Sequence, residues 1–321
     1  MRIALLRVLA GMAGLLIGCA AYAQAFPTKP IQMVVPYPPG GVDPYARVMM
    51  PKMIEVLGQN IVIENRPGAN GIIGSREAAR AAPDGYTILF ATSSTLVGGI
   101  FMIKDVNLDP VKDLAPITLM FEPQQVLAVP ASLPVNNVKE LIDYARKNPG
   151  KLSYGSSGIG SVFHLNGELF KQVTGIFMVH IPYGGTGPLA RELLAGRIDV
   201  AFPALSNVRT FLASGKVKVL ALAEAQRYAG LPDVPTIAEI VPGFRKAPSW
   251  IAMFAPAGTP RAAIERLHTA IVAGLNAPEV RKYHDDNGSK IMAQGAEQLS
   301  AALKGDLERV GKLIKTLDIK P

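Results

Sequence analysis

Short apolar runs rich in β-branched residues alternate with longer amphipathic segments along most of the chain. The apolar runs predict strands at 31–36, 61–64, 87–91, 117–120, 126–130, 152–154, 179–182, 199–202, 217–221 and 250–255. The amphipathic segments predict helices at 44–57, 72–81, 138–147, 162–174, 188–195, 208–214, 261–276, 278–287 and 297–316. Alternating strands and helices, with several strands that are apolar throughout, are typical of mainly parallel sheets buried under helices. The pattern therefore predicts an α/β fold.

Residues at the predicted helix ends agree with these boundaries. Asp43 precedes Pro44 and Thr259 precedes Pro260, so each pair combines an N-cap residue with a proline in the first helical position. Gly58 directly follows the first helix, where a left-handed residue is expected to end it. We therefore expect Asp43 and Thr259 to cap their helices.

No long flexible linker divides the chain, so two lobes would be joined by strands that cross between them. The best crossover candidates are 119–129 and 249–255. They predict a first lobe of residues 24–122 plus 250–321 and an inserted second lobe of residues 123–249. We expect each lobe to hold a mainly parallel sheet flanked by helices.

The N-terminal segment has the features of a secretory signal. Arg2 and Arg7 provide a basic start, 8–18 is an apolar run, and Ala21-Tyr22-Ala23 offers a cleavage site. The run is too short to span a bilayer, which takes about 20 residues. Residues 1–23 are therefore predicted to be a signal peptide cleaved after Ala23, and the mature chain is expected in the periplasm.

Two alternatives stay open at this end of the chain. The first is a lipobox, because Leu16-Ile17-Gly18-Cys19 resembles one, and lipidated Cys19 would then become the mature N-terminus. The second is a buried N-terminal helix. Cys19 is the single cysteine, so cleavage after Ala23 would leave a chain with no disulfide and no thiol catalyst.

Net charge narrows the choice of partner. The formal charge is +8, and removal of the two cations Arg2 and Arg7 with the signal lowers it to +6. A modest basic excess attracts an anionic ligand, although it can also serve solubility alone. Nucleic acid is not an expected partner, because no cluster of Lys and Arg with interleaved aromatic residues occurs.

Five loops follow predicted strands and open helices. Ligands of α/β sheets bind at this end of the strands, where helix N-termini offer unpaired N–H groups to an anion. Glycines let a ligand approach the backbone, and hydroxyl groups donate hydrogen bonds without adding charge. The candidate ligand-binding residues are Tyr37, Gly40, Gly41 and Asp43 in the first loop; Ser93, Ser94 and Thr95 in the third; Ser156, Ser157, Gly158 and the nearby helical His164 in the fourth; and Tyr183, Gly184, Gly185 and Thr186 in the fifth.

Each loop also has a plain structural interpretation. Asp43 could serve only as a cap, His164 could be a structural histidine, and Arg66 of the second loop could tie that loop to a neighbour. The fourth loop lacks the Gly-Lys-Ser/Thr of a nucleotide-binding loop. In the fifth loop, Gly185-x-Gly187-x-x-Ala190 matches the dinucleotide-binding motif only weakly. A small anion is therefore a better candidate ligand for the fourth and fifth loops than a nucleotide or dinucleotide.

Motifs for metal binding and catalysis are absent from the sequence. No His-x-x-x-His or Cys-x-x-Cys pair and no Gly-x-Ser-x-Gly elbow occurs, so we expect neither a metal site nor a cofactor. Binding without catalysis is the simplest interpretation. The competing one is a hydrolase that uses Ser93 or Ser157 with His164.

These loops resemble those of the Bug-type extracytoplasmic solute receptors, the substrate-binding proteins of tripartite tricarboxylate transporters. The matching segments are 36–47, 64–74, 82–87, 164–170, 181–202, 235–239 and 249–260, and the resemblance extends over essentially all of the mature chain. Asn-Arg-Pro-Gly-Ala followed by Ala-Pro-Asp-Gly-Tyr-Thr is specific in combination. The chain departs from the family at two places: only Val42 separates the glycine pair from Asp43, and Pro203 stands where many relatives carry a polar residue.

The resemblance implies a type II-like periplasmic binding protein fold, with two α/β lobes that close on a ligand in the cleft between them. It also implies that backbone amides of the first two loops hold one carboxylate of the ligand. The expected function is capture of a small mono-, di- or tricarboxylate, aromatic ones included, by a monomer. Its expected partner is the membrane permease of a tripartite tricarboxylate transporter; the alternative is a receptor that feeds a two-component sensor.

Overall fold

The structure of the protein is a computed structural model that describes residues 26–316 and 319. The predicted signal peptide 1–23, with Cys19, lies outside the described residues. Every predicted strand occurs, and a further one, β11, follows them. The strands are β1 Ile31–Val35, β2 Ile61–Asn65, β3 Thr87–Thr92, β4 Leu114–Pro123, β5 Val126–Pro130, β6 Ser153–Ser156, β7 Val179–Pro182, β8 Val200–Ala201, β9 Val217–Leu222, β10 Ile251–Pro256 and β11 Ser289–Gln294.

The predicted helices also occur. They are α1 Asp43–Leu57, α2 Ile72–Ala79, α3 Val138–Lys147, α4 Val162–Thr174, α5 Thr186–Leu194, α6 Leu205–Ala213, α7 Ile237–Ile240 (not predicted), α8 Arg261–Asn276, α9 Pro278–Asp286 and α10 Ala296–Thr316. Shorter helical turns lie at Ala69–Gly71, Ser94–Gly99 and Ile100–Met102.

The structure confirms the predicted helix end at Gly58 and contradicts the predicted cap at Thr259. Gly58 ends α1 in the left-handed conformation, with φ 71° and its N–H on the Ile54 carbonyl at 2.8 Å, as predicted. Thr259 does not cap α8, so that prediction is wrong. Pro260 occupies the N-cap position, and the Thr259 hydroxyl donates to the Pro256 carbonyl of the preceding turn at 2.8 Å.

The first sheet has six strands in the order β11-β4-β10-β3-β1-β2. Strand β1 runs parallel to β2 and β3, whereas β10 is antiparallel to both β3 and β4. Strand β11 closes the edge, antiparallel to β4. The carboxyl ends of β1, β3 and β4 therefore lie at the same edge of this sheet.

The second sheet has five strands in the order β7-β6-β8-β5-β9. Strand β6 runs parallel to β7 and β8, and β5 is antiparallel to β8 and β9. Both sheets are therefore mixed, which corrects the expectation of mainly parallel sheets. The reason lies in the crossings: β5 and β10 each enter a sheet from the other one, so each starts at the edge where its neighbours end.

Three clusters of buried apolar side chains hold these layers together. One packs α1 and α8 on the first sheet and includes Met53. The second packs α3 and α4 on the second sheet and includes Phe170. The third runs from Leu119 in β4 to Leu165 in α4, so the two sheets share buried apolar contacts. Burial of apolar surface stabilises the fold by about 25 cal/mol per Å². These contacts hold the two sheets in place and thereby position the loops between them.

Candidate functional site

A cavity of about 540 Å³ lies between the two sheets, at the edge where the predicted loops meet. The predicted residues that line it are Tyr37, Gly40, Gly41, Ser93, Ser94, Ser157, Gly184, Gly185 and Thr186. The predicted residues that lie off its wall are Asp43, Thr95, Ser156, Gly158, His164 and Tyr183. The structure thus brings four of the five predicted loops to one cavity through some of their residues, and Asn70 brings the fifth.

Helix N-termini surround this cavity. The residues that line it include Val42, Val162, Gly185 and Ala204, which stand at or beside the first residues of α1, α4, α5 and α6. The first N–H groups of a helix lack partners within the helix, and its N-terminus carries about half a positive charge. Four such ends make the cavity favourable for an anion.

The first loop closes against the fifth. Gly40 and Gly41 both have positive φ, 92° and 57°. A Cβ on Gly41 would lie 2.8 Å from the Thr186 hydroxyl of the opposite loop. A side chain at this position would be strained by the positive φ, and Thr186 would have to move to make room for it, so the close approach of the two loops favours glycine.

Asp43 fixes the first loop rather than capping α1. Its carboxylate accepts hydrogen bonds from Arg47 Nε at 2.7 Å and from Asn65 Nδ2 at 3.0 Å, while Val42 occupies the N-cap position. The capping prediction for Asp43 is therefore wrong, since Arg47 one turn later draws the carboxylate along the helix. Asn65 also donates to the Tyr37 carbonyl at 2.9 Å, which ties this loop to the end of β2.

Tyr37 forms one wall through a buried hydroxyl network. Its hydroxyl hydrogen-bonds Thr92 Oγ1 at 2.7 Å and also Thr95 Oγ1. Thr95 in turn donates to the Asn70 carbonyl at 2.7 Å, so its hydroxyl is already used within the first lobe. Burial raises the pKa of Tyr37, which keeps the phenol protonated at the cavity.

The hydroxyl groups of Ser93 and Ser94 link segments that surround the cavity. The Ser93 hydroxyl donates to the Pro248 carbonyl at 2.7 Å, next to the second crossing. The Ser94 hydroxyl accepts from the Val162 N–H at 3.0 Å and so links the first lobe to the start of α4. Both hydroxyl groups therefore have structural partners besides any ligand.

The fourth loop presents Ser157 and turns Ser156 inwards. Ser156 is fully buried, and its hydroxyl bonds His180 Nε2 at 2.7 Å. His164 accepts from the Gly160 N–H at 3.1 Å and stacks on His180 with ring centroids 4.1 Å apart. Desolvation by burial lowers the pKa of both histidines to about 4, so both are neutral at pH 7.

A catalytic serine is not assembled from these groups. In the part of the chain that the structure describes, neither Ser93 nor Ser157 hydrogen-bonds a histidine. The serine that does, Ser156, is buried away from the cavity. Among residues 26–316, no cluster of potential metal ligands occurs, and no helix is long and apolar enough to cross a membrane.

Sequence reasoning missed several residues of the wall. They are Tyr45, Asn70, Gln125, Phe163, Arg191, Ser206, Asn207 and Ser249. Arg191 is the one charged residue of the wall in the described chain, and it forms no ion pair with any described residue. Arg191 lies four residues after Gly187 on α5, and this spacing places both residues on one helix face. The spacing could therefore have predicted from the sequence that Arg191 lies beside the fifth loop. Gln125 and Ser249 reach the cavity at the crossings, and Ser206 and Asn207 reach it from α6, which no local pattern reveals. Tyr45, Asn70 and Phe163 lie in the first turns or loops beside the predicted residues.

A model of one protein family fits the chain. Its description is tripartite tricarboxylate transporter family receptor, and it matches residues 45–319. The chain belongs to this receptor family. The family consists of binding proteins, so the interpretation as a binding protein and not an enzyme is confirmed.

Solved structures of similar proteins support the same assignment. The periplasmic binding protein BugD has a TM-score of 0.85 and 33% identity, and the match covers 92% of this receptor and 99% of BugD. Rpa4515 of Rhodopseudomonas palustris, solved with adipate, has a TM-score of 0.87 and 33% identity over 92% and 99% of the two chains. MatC from the same organism, solved with bound malate, has a TM-score of 0.83 and 29% identity over 90% and 100%. These matches confirm the predicted family and the two-lobed periplasmic binding protein fold.

Proposed function

We propose that this receptor captures a small carboxylate in the cavity between its lobes and delivers it to the membrane permease of a tripartite tricarboxylate transporter. The observation that carries the proposal is the convergence of four helix N-termini on one cavity. That arrangement stabilises negative charge without requiring a catalytic group. Two related receptors solved with adipate and with malate support a carboxylate as the ligand.

Arg191 carries a full positive charge, whereas each helix N-terminus carries about half of one. It is exposed, lines the cavity, and has no carboxylate of the described chain to pair with. No Asp or Glu lines the wall in the described residues, so a ligand carboxylate is its natural partner. A guanidinium can bind both oxygens of a carboxylate, which gives orientation as well as affinity.

Isothermal titration of the mature protein against mono-, di- and tricarboxylates tests the proposal. We expect one-to-one binding of at least one of them. Arg191→Gln should weaken that binding about tenfold, because a hydrogen bond to a charged group contributes about 1.5–3 kcal/mol. Arg209→Gln is the matched control, since Arg209 is exposed on α6 and does not line the cavity. Absence of binding across the panel would exclude carboxylate capture.

We also propose how the chain is processed and divided. Export with cleavage after Ala23 yields a soluble periplasmic monomer, whereas lipidation at Cys19 would anchor it. Sheet membership supports lobes of residues 24–122 plus 250–321 and of residues 123–249. Intact-mass measurement of the exported protein separates the first two outcomes, because lipidation retains Cys19 and adds acyl chains.

A further inference from the structure

Two glycines of opposite lobes meet beside the cavity. Gly98 lies in the helical turn Ser94–Gly99 of the first lobe, and a Cβ atom on it would overlap the carbonyl oxygen of Gly160 in the fourth loop. A Cβ on Gly160 would in turn lie 2.8 Å from the Cβ of Met102. Neither glycine lines the cavity. The backbones of the two lobes therefore touch directly here, and no side chain fits between them.

Apolar packing and a hydrogen bond hold this contact together. Val97, Met102 and Leu165 are buried beside the glycines, in the apolar cluster that both lobes share. Ser94 Oγ accepts a hydrogen bond from the Val162 N–H at 3.0 Å, which also joins the lobes. Separation of the lobes at this place would expose apolar side chains and break that hydrogen bond, so the contact is costly to open.

The contact also lies close to the second crossing, whereas the loops that face each other over the cavity are loosely held. Asn166 in α4 accepts a hydrogen bond from the Ala247 N–H at 2.8 Å, and both residues are buried. Ala247 lies two residues before the crossing segment 249–255. The facing Gly40-Gly41 and Gly184 are exposed. A rotation of one lobe against the other would therefore part these loops and keep the glycine contact closed.

We propose, on the basis of the carboxylate-binding function above, that the contact between Gly98 and Gly160 is the pivot on which the two lobes turn when a ligand binds. Gly98 is then a positioning residue, because the absence of its side chain lets the lobes approach each other fully. A methyl group there would hold the lobes further apart. Groups of one lobe would then lie beyond the hydrogen-bond distance of about 2.7–3.2 Å from a ligand held by the other lobe.

Gly98→Ala tests the proposal in the mature protein. Gly98 is helical and its φ is not positive, so alanine adds no left-handed strain and meets only the contact with the other lobe. The probes are adipate, malate and any other member of the carboxylate panel that binds. We expect their affinity to fall about tenfold or more, the effect of losing one hydrogen bond to a charged group. Small-angle X-ray scattering should show less ligand-induced compaction than in the wild type, which a loss of stability alone would not cause.

Gly305→Ala is the matched control. Gly305 is also helical, it is exposed, and nothing lies within 4 Å of its Cβ position, so affinity and compaction should both stay unchanged. Equal affinities of the wild type and Gly98→Ala, or a wild type that binds without compaction, would overturn the pivot while carboxylate capture stands. Absence of binding across the panel would instead overturn carboxylate capture, and the pivot with it.

Hydrogen exchange of the wild type tests the pivot even if Gly98→Ala does not fold. Peptides 95–102 and 164–170 should exchange at the same rate with and without ligand, because the contact between them stays packed while the lobes turn. Peptides that contain the Gly40-Gly41 and Gly184-Gly185 loops should exchange more slowly with ligand. Protection of peptides 95–102 and 164–170 that appears only with ligand would show that the contact forms on closure, and it would contradict the pivot.

Discussion

Gly41 lies where the first loop approaches Thr186 of the fifth loop beside the cavity. Its φ of 57° is in the left-handed region, and the nearest atom to a Cβ at this position would be Thr186 Oγ1 at 2.8 Å. Any side chain here therefore meets two obstacles, backbone strain and contact with the facing loop. The first obstacle acts on folding, and the second acts on closure around the ligand.

Gly41→Ala should separate these two effects. The strain costs about 1 kcal/mol of unfolding free energy, and the contact with Thr186 should weaken ligand binding about tenfold because the loops cannot close fully. Gly58→Ala is the matched control: its φ is 71°, and nothing lies within 4 Å of its Cβ position. Urea unfolding and titration of both variants provide the measurement. Equal ligand affinities of the two variants would show that a side chain at position 41 does not hinder closure of the loops.

Single residues of the site were predictable only where the signal is local. Gly41 and Ser94 follow strands and open helices, and such residues can be identified from the sequence. Ser156 and Ser157 could not be separated, because neighbouring residues at a strand end point in opposite directions, one towards His180 and one towards the cavity. Gln125 reaches the cavity only because β4 crosses to the other sheet, and this depends on tertiary packing.

At the scale of elements, α4 is held on β7 by a stack of aromatic rings. His180 lies between Tyr154 and His164, with centroid distances of 4.8 and 4.1 Å. His284 in α9 is fully buried against Phe121, and neither of its ring nitrogens has a partner in the described chain. Desolvation by burial lowers the pKa of His284, as of the stacked pair, to about 4.

The lowered histidine pKa values predict loss of stability in mild acid. Between pH 6.5 and pH 4 the unfolded chain binds protons that the folded chain rejects, so the free energy of unfolding falls as the pH falls and is fully retained above about pH 6.5. For His284 the loss between pH 7 and pH 5 is about 2 kcal/mol, and His164 and His180 act in the same direction. Urea unfolding at the two pH values measures it.

His284→Phe provides the control for this pH dependence. Phenylalanine fits among the rings of Tyr45, Phe121 and Tyr283, and it removes one titrating group without breaking a described hydrogen bond. The variant should lose about 2 kcal/mol less than the wild type between pH 7 and pH 5. A wild-type stability that does not change over this range would contradict the neutral, buried state of these histidines.

The helices and strands that could be predicted from the sequence are those with a strong apolar pattern. The bounds of Val138–Lys147, Val162–Thr174 and Arg261–Asn276 follow directly from apolar spacing. Ser289–Gln294 was missed because it is an edge strand with few buried side chains, and such a strand carries little apolar signal. Asp43 as a cap was wrong because Arg47, a residue four positions away, competes for its carboxylate.

At the scale of the whole molecule, an ionic cluster joins the two crossings between the lobes. Lys246 Nζ lies 2.8 Å from Glu122 Oε1 and 2.5 Å from Glu224 Oε2, and it also bonds Ser249 Oγ at 2.9 Å. Glu122 ends the first crossing strand, and Ser249 precedes the second. Strands that cross between the lobes could be predicted from the absence of a linker, but their direction could not, because it depends on where the chain re-enters each sheet.

A crystal structure of the mature protein with the carboxylate that binds most tightly in titration would show where the ligand is held. We expect the ligand inside the cavity, with one carboxylate about 3 Å from backbone N–H groups of both the Gly40-Gly41 and the Gly184-Gly185 loops. A ligand bound outside the cavity, or one whose carboxylate touches neither loop, would contradict it.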